Sequence, residues 1–279
     1  MAFGLLRRVL DSRPADERDV LVVIPAFRNP RQLDQCLAAV ARQSAANRIE
    51  TYVRDNSEDN IYFTAAINEG LRHGLRNPAI RYFLILNQDC YLNEDAVEQL
   101  VSYMEREASV GICAPIQLDS RDPSQVIWGG ASVSFPYGQC FVGALKDAPG
   151  PFETPWASGA AAMIRREVLV DIGLLDGNMR FICSDSDYSF TARARGWRIV
   201  CQPAARCIHE MGEARLPGSM EIRQVMRDDV AYFMDKWISG ALFQRLEFEG
   251  IKTTNEELQR QGKAYLERLA PPAPAPGGG

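Results

Sequence analysis

Val20-Leu21-Val22-Val23-Ile24 is a continuous apolar run closed by Pro25. A strand with one wet face alternates apolar and polar residues, so an unbroken run predicts a strand buried on both faces, as in a parallel sheet. Asn29-Pro30 then punctuates the chain, and Leu33, Cys36, Leu37 and Val40 recur at helical spacing between Arg31 and Gln43. A second strand over residues 49–54 runs into the turn cluster Asp55-Asn56-Ser57. A helix carrying Ala65, Ala66, Ile67 and Leu71 follows and stops near Gly74. Residues 81–86 read as a third strand ending in Asn87-Gln88-Asp89. Asn93 is the expected cap of the next helix, with Glu94 and Asp95 in its first turn, where negative charge suits the dipole. Its expected buried stripe is Ala96, Val97, Leu100, Val101 and Met104.

Strand and helix alternating in this rhythm predict right-handed βαβ units and an open α/β sheet. Ligands of such sheets bind beyond the carboxyl ends of the strands. Three polar clusters fall at those ends: Pro25-Ala26, Asp55-Asn56 and Asn87-Gln88-Asp89. A site is therefore expected there from strand direction alone.

The second half changes character. Gly129, Gly130, Pro136, Gly138, Gly143 and Pro149-Gly150-Pro151 break up short strand-like pieces, which suggests an irregular region with a hairpin. Regular structure is expected to resume at Trp156-Ala157-Ser158-Gly159-Ala160, with a short helix over 166–172 and another from about Ser184 to Arg195, stopped by Gly196. Residues 197–201 read as a strand. Beyond Pro217, Ser219 opens a long helix with Ile222, Val225, Met226, Val230, Phe233, Met234 and Trp237 on one face.

A chain of 279 residues suits one large domain with a modest appendage. The expected division is an amphipathic segment at 1–18, a catalytic domain at 19–216, a helical extension at 217–269 and a disordered tail of Pro, Ala and Gly at 270–279. A formal net charge of −5 speaks against broad binding to nucleic acid, which wants a basic footprint. The seven cysteines show no paired metal-ligand spacing and sit mostly in apolar stretches, as expected of reduced core thiols in a cytoplasmic protein. No apolar run approaches the roughly 20 residues needed to cross a bilayer. Phe3, Leu5, Leu6, Val9 and Leu10 interleave with Arg7, Arg8 and Arg13. That pattern fits either a basic amphipathic helix on an anionic membrane surface or an ordinary helix packed on the domain.

The order of these motifs resembles that of the family-two inverting glycosyltransferases of GT-A fold, with its closest likeness to a bacterial rhamnosyltransferase-like branch. The resembling features are Val22-Val23-Ile24-Pro25, Asp55-Asn56, Asn68 and Gly70, Leu86-Asn87-Gln88-Asp89, Ser158-Gly159-Ala160 and Arg165-Arg166-Glu167. They continue with Gly173 and Asp176, Asp185 and Asp187, Arg193 to Trp197, and His209. The resemblance spans about 20–212. It implies a GT-A-type, Rossmann-like open mixed sheet flanked by helices, with a C-terminal helical appendage.

It also implies roles. A sugar nucleotide leaves as a diphosphate, and a divalent cation, Mn2+ or Mg2+, neutralises the charge that develops. Asp89 is the expected carboxylate ligand and His209 an imidazole ligand from a distant loop. Asn87 stands where many GT-A enzymes carry a first Asp. Pro25, Ala26, Asp55, Asn56, Asn68 and Asn87 are expected on the nucleotide side, Asp55 accepting from the imide nitrogen of uracil or thymine. Asp55-Asn56-Ser57 also reads as an Asx turn. Arg28 and Arg54 are candidate phosphate partners, as is Arg215 after His209.

Asp185 takes the position of the family's general base, which must lie within hydrogen-bond reach of the acceptor hydroxyl. Ser184 stands where the family has Glu; as an N-cap it would pair with Asp187 in a capping-box-like turn. Asp187 thus reads equally as structural or as part of the acceptor side with Trp156, Ser158 and Gly159. His73 reads as structural. The implied partners are a UDP- or dTDP-sugar and a glycan or lipid-linked acceptor, in bacterial surface-polysaccharide or O-antigen assembly on the inner face of the membrane. Two other readings stay open: a sugar nucleotidyltransferase, although Pro25-Ala26-Phe27-Arg28 supplies no Gly-rich basic loop, and a non-catalytic nucleotide-sugar-binding relative.

Overall fold

A computed structural model describes residues 18–132, 139–140, 150–210 and 220–238, with 260, 263–264 and 266–267. Residues 1–17 of the N-terminal amphipathic segment, Arg215, Ser219 and the Pro-Ala-Gly tail lie outside the described residues. The first half runs β1 (Val20–Ala26), α1 (Pro30–Ala41), β2 (Ile49–Asp55), α2 (Tyr62–Leu75), β3 (Tyr82–Leu86), β4 (Cys90–Leu92) and α3 (Ala96–Arg106). Then come β5 (Val110–Asp119), β6 (Val126–Trp128), β7 (Ala131–Ser132), β8 (Gln139–Cys140), β9 (Phe152–Glu153) and β10 (Ala161–Arg165). The chain continues through α4 (Arg166–Ile172), α5 (Ser184–Ala194), β11 (Arg198–His209) and α6 (Met220–Phe233), which passes into a π-helical turn over Met234–Ile238.

The main sheet is mixed, in the order β2-β1-β3-β10-β5-β11-β4. β1 pairs in parallel with β2 and with β3, so Ala26, Asp55 and Leu86 end on one edge. β10 enters antiparallel between β3 and β5, which brings its N-terminus to that same edge, Ala161 opposite Leu86. β5 and β11 run parallel, and β11 delivers His209 beside Cys90 of β4.

The apolar run of β1 is buried on both faces, as its sequence predicts. Leu21 and Val23 pack with Ile67 and Leu71 of α2, while Val20, Val22 and Ile24 pack with Cys36 and Val40 of α1. Burying side chains of this size contributes about 1.5–3 kcal/mol each. Gly70 lets α2 lie close, since a Cβ there would stand 2.3 Å from Val23 Cγ1. Val230 and Phe233 of α6, and Trp237 after it, belong to the same core cluster as Leu21. Cys36, Cys90, Cys113, Cys183, Cys201 and Cys207 are buried and free.

Several local expectations are corrected. Asn93 does not cap α3: Asp95 holds the N-cap position without a side-chain bond, and Gln43 Oε1 accepts from Val97 N at 3.0 Å instead. The loop is already engaged, because Gln43 Nε2 donates to Asn93 O at 2.8 Å. Trp156 to Ala160 form a loop, and the strand starts at Ala161. The strand expected at 197–201 runs on to His209, past a register shift between Gln202 and Arg206. His209 therefore sits on a strand end rather than a loop. Ser184 is not an N-cap either; Cys183 holds that position at φ 68, Ser184 is buried in the first turn, and no capping box forms.

Candidate active site

Asn87, Gln88 and Asp89 follow β3 at the carboxyl edge, and each ties down a different limb of the site. Asn87 N donates to Ala160 O at 2.8 Å, joining the Ser158-Gly159-Ala160 turn. Gln88 clasps the loop after β1, accepting from Phe27 N at 2.9 Å and donating to Phe27 O at 2.9 Å. Asp89 O accepts from Glu210 N at 2.8 Å, joining the end of β11.

The third limb holds the candidate metal ligands. His209 Nε2 lies 3.5 Å from Asp89 Oδ1. Two donors sharing one ion at about 2.1 Å stand about 3–3.5 Å apart at octahedral to tetrahedral angles. Behind the ring, His209 Nδ1 meets Gln117 Oε1 at 2.9 Å. An amide oxygen only accepts, so this contact suits the Nδ1–H tautomer, the one in which Nε2 can serve as a metal ligand. Cys90 Sγ falls in the same group of potential ligands. Burial and the neighbouring Cys207 hold that thiol well above its usual range, and Cys90 is buried while the partly exposed donors are the oxygen of Asp89 and the imidazole of His209. That set fits Mn2+, with Mg2+ served less well by the imidazole. Just beyond, Glu210 accepts from Tyr91 Oη at 2.6 Å and pairs closely with Arg31. Sequence reasoning missed Arg31 and Glu210, whose relation appears only when α1 and β11 meet.

On the nucleotide limb, Asn56 N donates to Ala26 O at 2.8 Å, locking β2 to β1 past Pro25. Asp55 is exposed, and its Oδ1 accepts from Ser57 N at 2.9 Å, so the Asx turn is present and the carboxylate faces solvent at the crevice. Phe27, unremarked in the sequence, presents its ring beside this edge at 40% exposure with the Arg28 guanidinium 4.9 Å from its centroid. Arg54 has a different occupation from the one expected. It is buried, bonded to Asp59 at 2.9 Å and Glu69 at 3.0 Å, and unavailable to a phosphate. Asn68 is likewise committed, donating to Leu175 O at 2.8 Å and accepting from Leu175 N at 3.1 Å, so its amide braces the turn before α5 rather than a nucleotide. His73 pairs with Glu50 at 2.8 Å, as a structural residue would.

The limb joined through Asn87, the Ser158-Gly159-Ala160 turn, carries Asp185. Its Oδ2 accepts from Gly159 N and its Oδ1 from Ser186 N, each at 2.9 Å. Among the described residues no cation pairs with it. Burial raises its pKa above the ordinary carboxylate value, and the N–H bonds from Gly159 and Ser186 oppose that rise. Gly159 eases this close contact: an added Cβ would lie 3.1 Å from both Asp185 Cβ and Phe63 Cζ, tighter than ordinary van der Waals contact. Trp156 is buried edge-to-face against Trp128, 6.2 Å between centroids, and underlies the turn. Asp187 faces the other way, into Lys236 and Trp237. Among the described residues three non-glycines hold positive φ, namely Arg28, Tyr62 and Cys183, and each begins or ends a loop of this edge. Strain of this kind costs about 1–3 kcal/mol and gathers at functional sites.

The profile of the family described as glycosyltransferase like family 2 matches residues 62–228. No curated protein matches the chain. Among solved structures, GalNAc-T7 with UDP, GalNAc and Mn2+ is similar at a TM-score of 0.62 and 12% identity. That match covers 91% of this chain but 57% of GalNAc-T7, so the chain spans little more than half of that relative. The mannosyltransferase PcManGT from Pyrobaculum calidifontis, in complex with GDP-Man and Mn2+, is similar at a TM-score of 0.53 and 15% identity. That second match covers 94% of this chain and 73% of PcManGT. At such identities the likeness establishes the GT-A fold alone. Among the described residues no helix is long and apolar enough to cross a membrane.

Proposed function

Because this chain belongs to the family described as glycosyltransferase like family 2, we propose that it is an inverting, metal-dependent glycosyltransferase. Its donor is a UDP- or dTDP-sugar of hexosyl or rhamnosyl type, and its acceptor is a hydroxyl of a glycan or lipid-linked glycan. The observation that carries the proposal is the pairing of Asp89 with His209 Nε2 at a carboxyl edge shared with a cation-free carboxylate, Asp185. Bacterial surface-polysaccharide assembly at the inner face of the membrane is the setting that suits such an acceptor.

Each limb then has its task. Asp55 accepts from the base's imide N–H, and the edge of Pro25, Ala26 and Asn56 with the Phe27 ring gives the nucleoside a floor. Asp89 and His209 hold the cation, which supplies Lewis-acid neutralisation of the departing diphosphate. Asp185 takes the proton from the acceptor hydroxyl as its oxygen attacks the anomeric carbon and the carbon–oxygen bond to the diphosphate breaks. Gly159 N–H and Ser186 N–H fix the carboxylate during this exchange and leave each oxygen a further lone pair.

A single displacement inverts the anomeric centre. Proton NMR of the product formed from a UDP- or dTDP-sugar with Mn2+ is expected to show the opposite anomer to the donor. A retained configuration would exclude Asp185 as the base of a one-step transfer.

A further inference from the structure

Asp229 lies on α6 within an otherwise apolar stripe of Val225, Val230 and Phe233, and it is fully buried. Its Oδ1 accepts from Arg180 N at 2.9 Å, and its Oδ2 from Phe181 N at 2.7 Å and Ile182 N at 2.9 Å. These three N–H groups belong to the loop that enters α5 through Cys183. One turn further along α5, Asp187 Oδ1 accepts from Lys236 Nζ at 2.8 Å and Trp237 Nε1 at 2.6 Å. Lys236 also reaches Asp176 at 3.1 Å, and the Trp237 ring sits 5.5 Å from Phe190. Outside this grip, Arg180 pairs with Asp228 at 2.9 Å and Tyr62 Oη donates to Glu221 at 2.8 Å.

We propose that α6 and the turn after it are the positioning element of the site, gripping the chain on both sides of Asp185 through Asp229 and through Lys236 with Trp237. The proposal rests on the reading of Asp185 as base. Packing alone does not call for these groups, because a buried ion pair is often no more stabilising than apolar residues of the same volume. What the pair supplies is a single arrangement. Residues 180–182 are bonded to α6 and Asp187 to the turn that follows it, so the segment between them is held at both ends with Asp185 against Gly159. Asp229, Lys236 and Trp237 are positioning residues, and Asp187 is the end of α5 that they hold.

The test is hydrogen exchange in the full chain, comparing wild type with Lys236→Met and Lys236→Arg. The amides of Gly159 and Ser186, which donate to the Asp185 carboxylate, report its placement without any turnover. Lys236→Met is expected to speed their exchange by about tenfold or more. The amides of Val22 and Leu84 in the sheet keep their protection, and Lys236→Arg restores the wild-type rates. Should Lys236→Met fail to fold, the double variant Lys236→Met with Asp187→Asn removes both charges and gives the same readout. Unchanged exchange at Gly159 and Ser186, or a uniform increase through the sheet, would overturn the proposal. Either failure leaves the base assignment standing, since that is judged on turnover of Asp185 variants.

Discussion

Asp185→Asn is expected to lower sugar transfer by about a hundredfold to ten-thousandfold, the usual worth of a positioned general base. An amide has nearly the shape of the carboxylate and can still accept from Gly159 N or Ser186 N, but it takes up no proton at neutral pH. Asp55, Asp89 and His209 are untouched, so nucleotide and cation binding should persist, read as an unchanged melting-temperature rise with UDP and Mn2+. Asp185→Ala separates loss of the base from any misfit of the amide. The wild-type rate should fall on an acid limb lying above the ordinary aspartate range, because burial raises this pKa and only the ionised form accepts a proton. The sign for stability is opposite: a raised folded pKa means that Asp185 contributes most below its unfolded value and loses that contribution as pH rises through the folded one. Full activity in Asp185→Asn would remove the base assignment.

The second large effect concerns the cation. A ligand at about a hundred times its dissociation constant stabilises a protein by about 2.7 kcal/mol. In wild type that gain from UDP should require Mn2+, since Asn87 leaves Asp89 as the sole carboxylate of its turn and the phosphates must complete the shell. Asp89→Ala and His209→Ala are each expected to abolish the metal-dependent part. Gln117→Leu should weaken it by about 10–100-fold in metal affinity, because the imidazole loses the acceptor that fixes its tautomer. Titration of Mn2+ against the melting temperature of the three variants checks this. Stabilisation of equal size in Asp89→Ala would place the cation elsewhere.

How much of this could be read beforehand depends on the range of the interaction. The β1 run, the α3 stripe and the bounds of α4 are local patterns, and each appears where periodicity put it. β5 was not anticipated, because Gly111 and Pro115 interrupt its apolar run, and Pro115 sits beside the bulge where β11 shifts register. The same bulge, around Pro203, hid the second half of β11 and made His209 look like a loop residue. Asp89 and His209 are 120 positions apart, and only the ordered likeness to a family suggested they belong together. Asp229 was illegible for a deeper reason: its partners are backbone N–H groups 47 to 49 residues away, which no side-chain pattern encodes. Asn68 and Arg54 show the converse, polar residues near the edge whose bonds point into the scaffold.

The central claim is that the edge organised by Asn87, Gln88 and Asp89 takes a nucleotide sugar together with a divalent cation. The most direct measurement is the melting temperature of the wild-type chain against UDP, dTDP, GDP and their sugars, each with and without Mn2+. The account predicts a rise with a uridine or thymidine nucleotide that appears only when the cation is present. No rise with any nucleotide, or an equal rise in its absence, would contradict it.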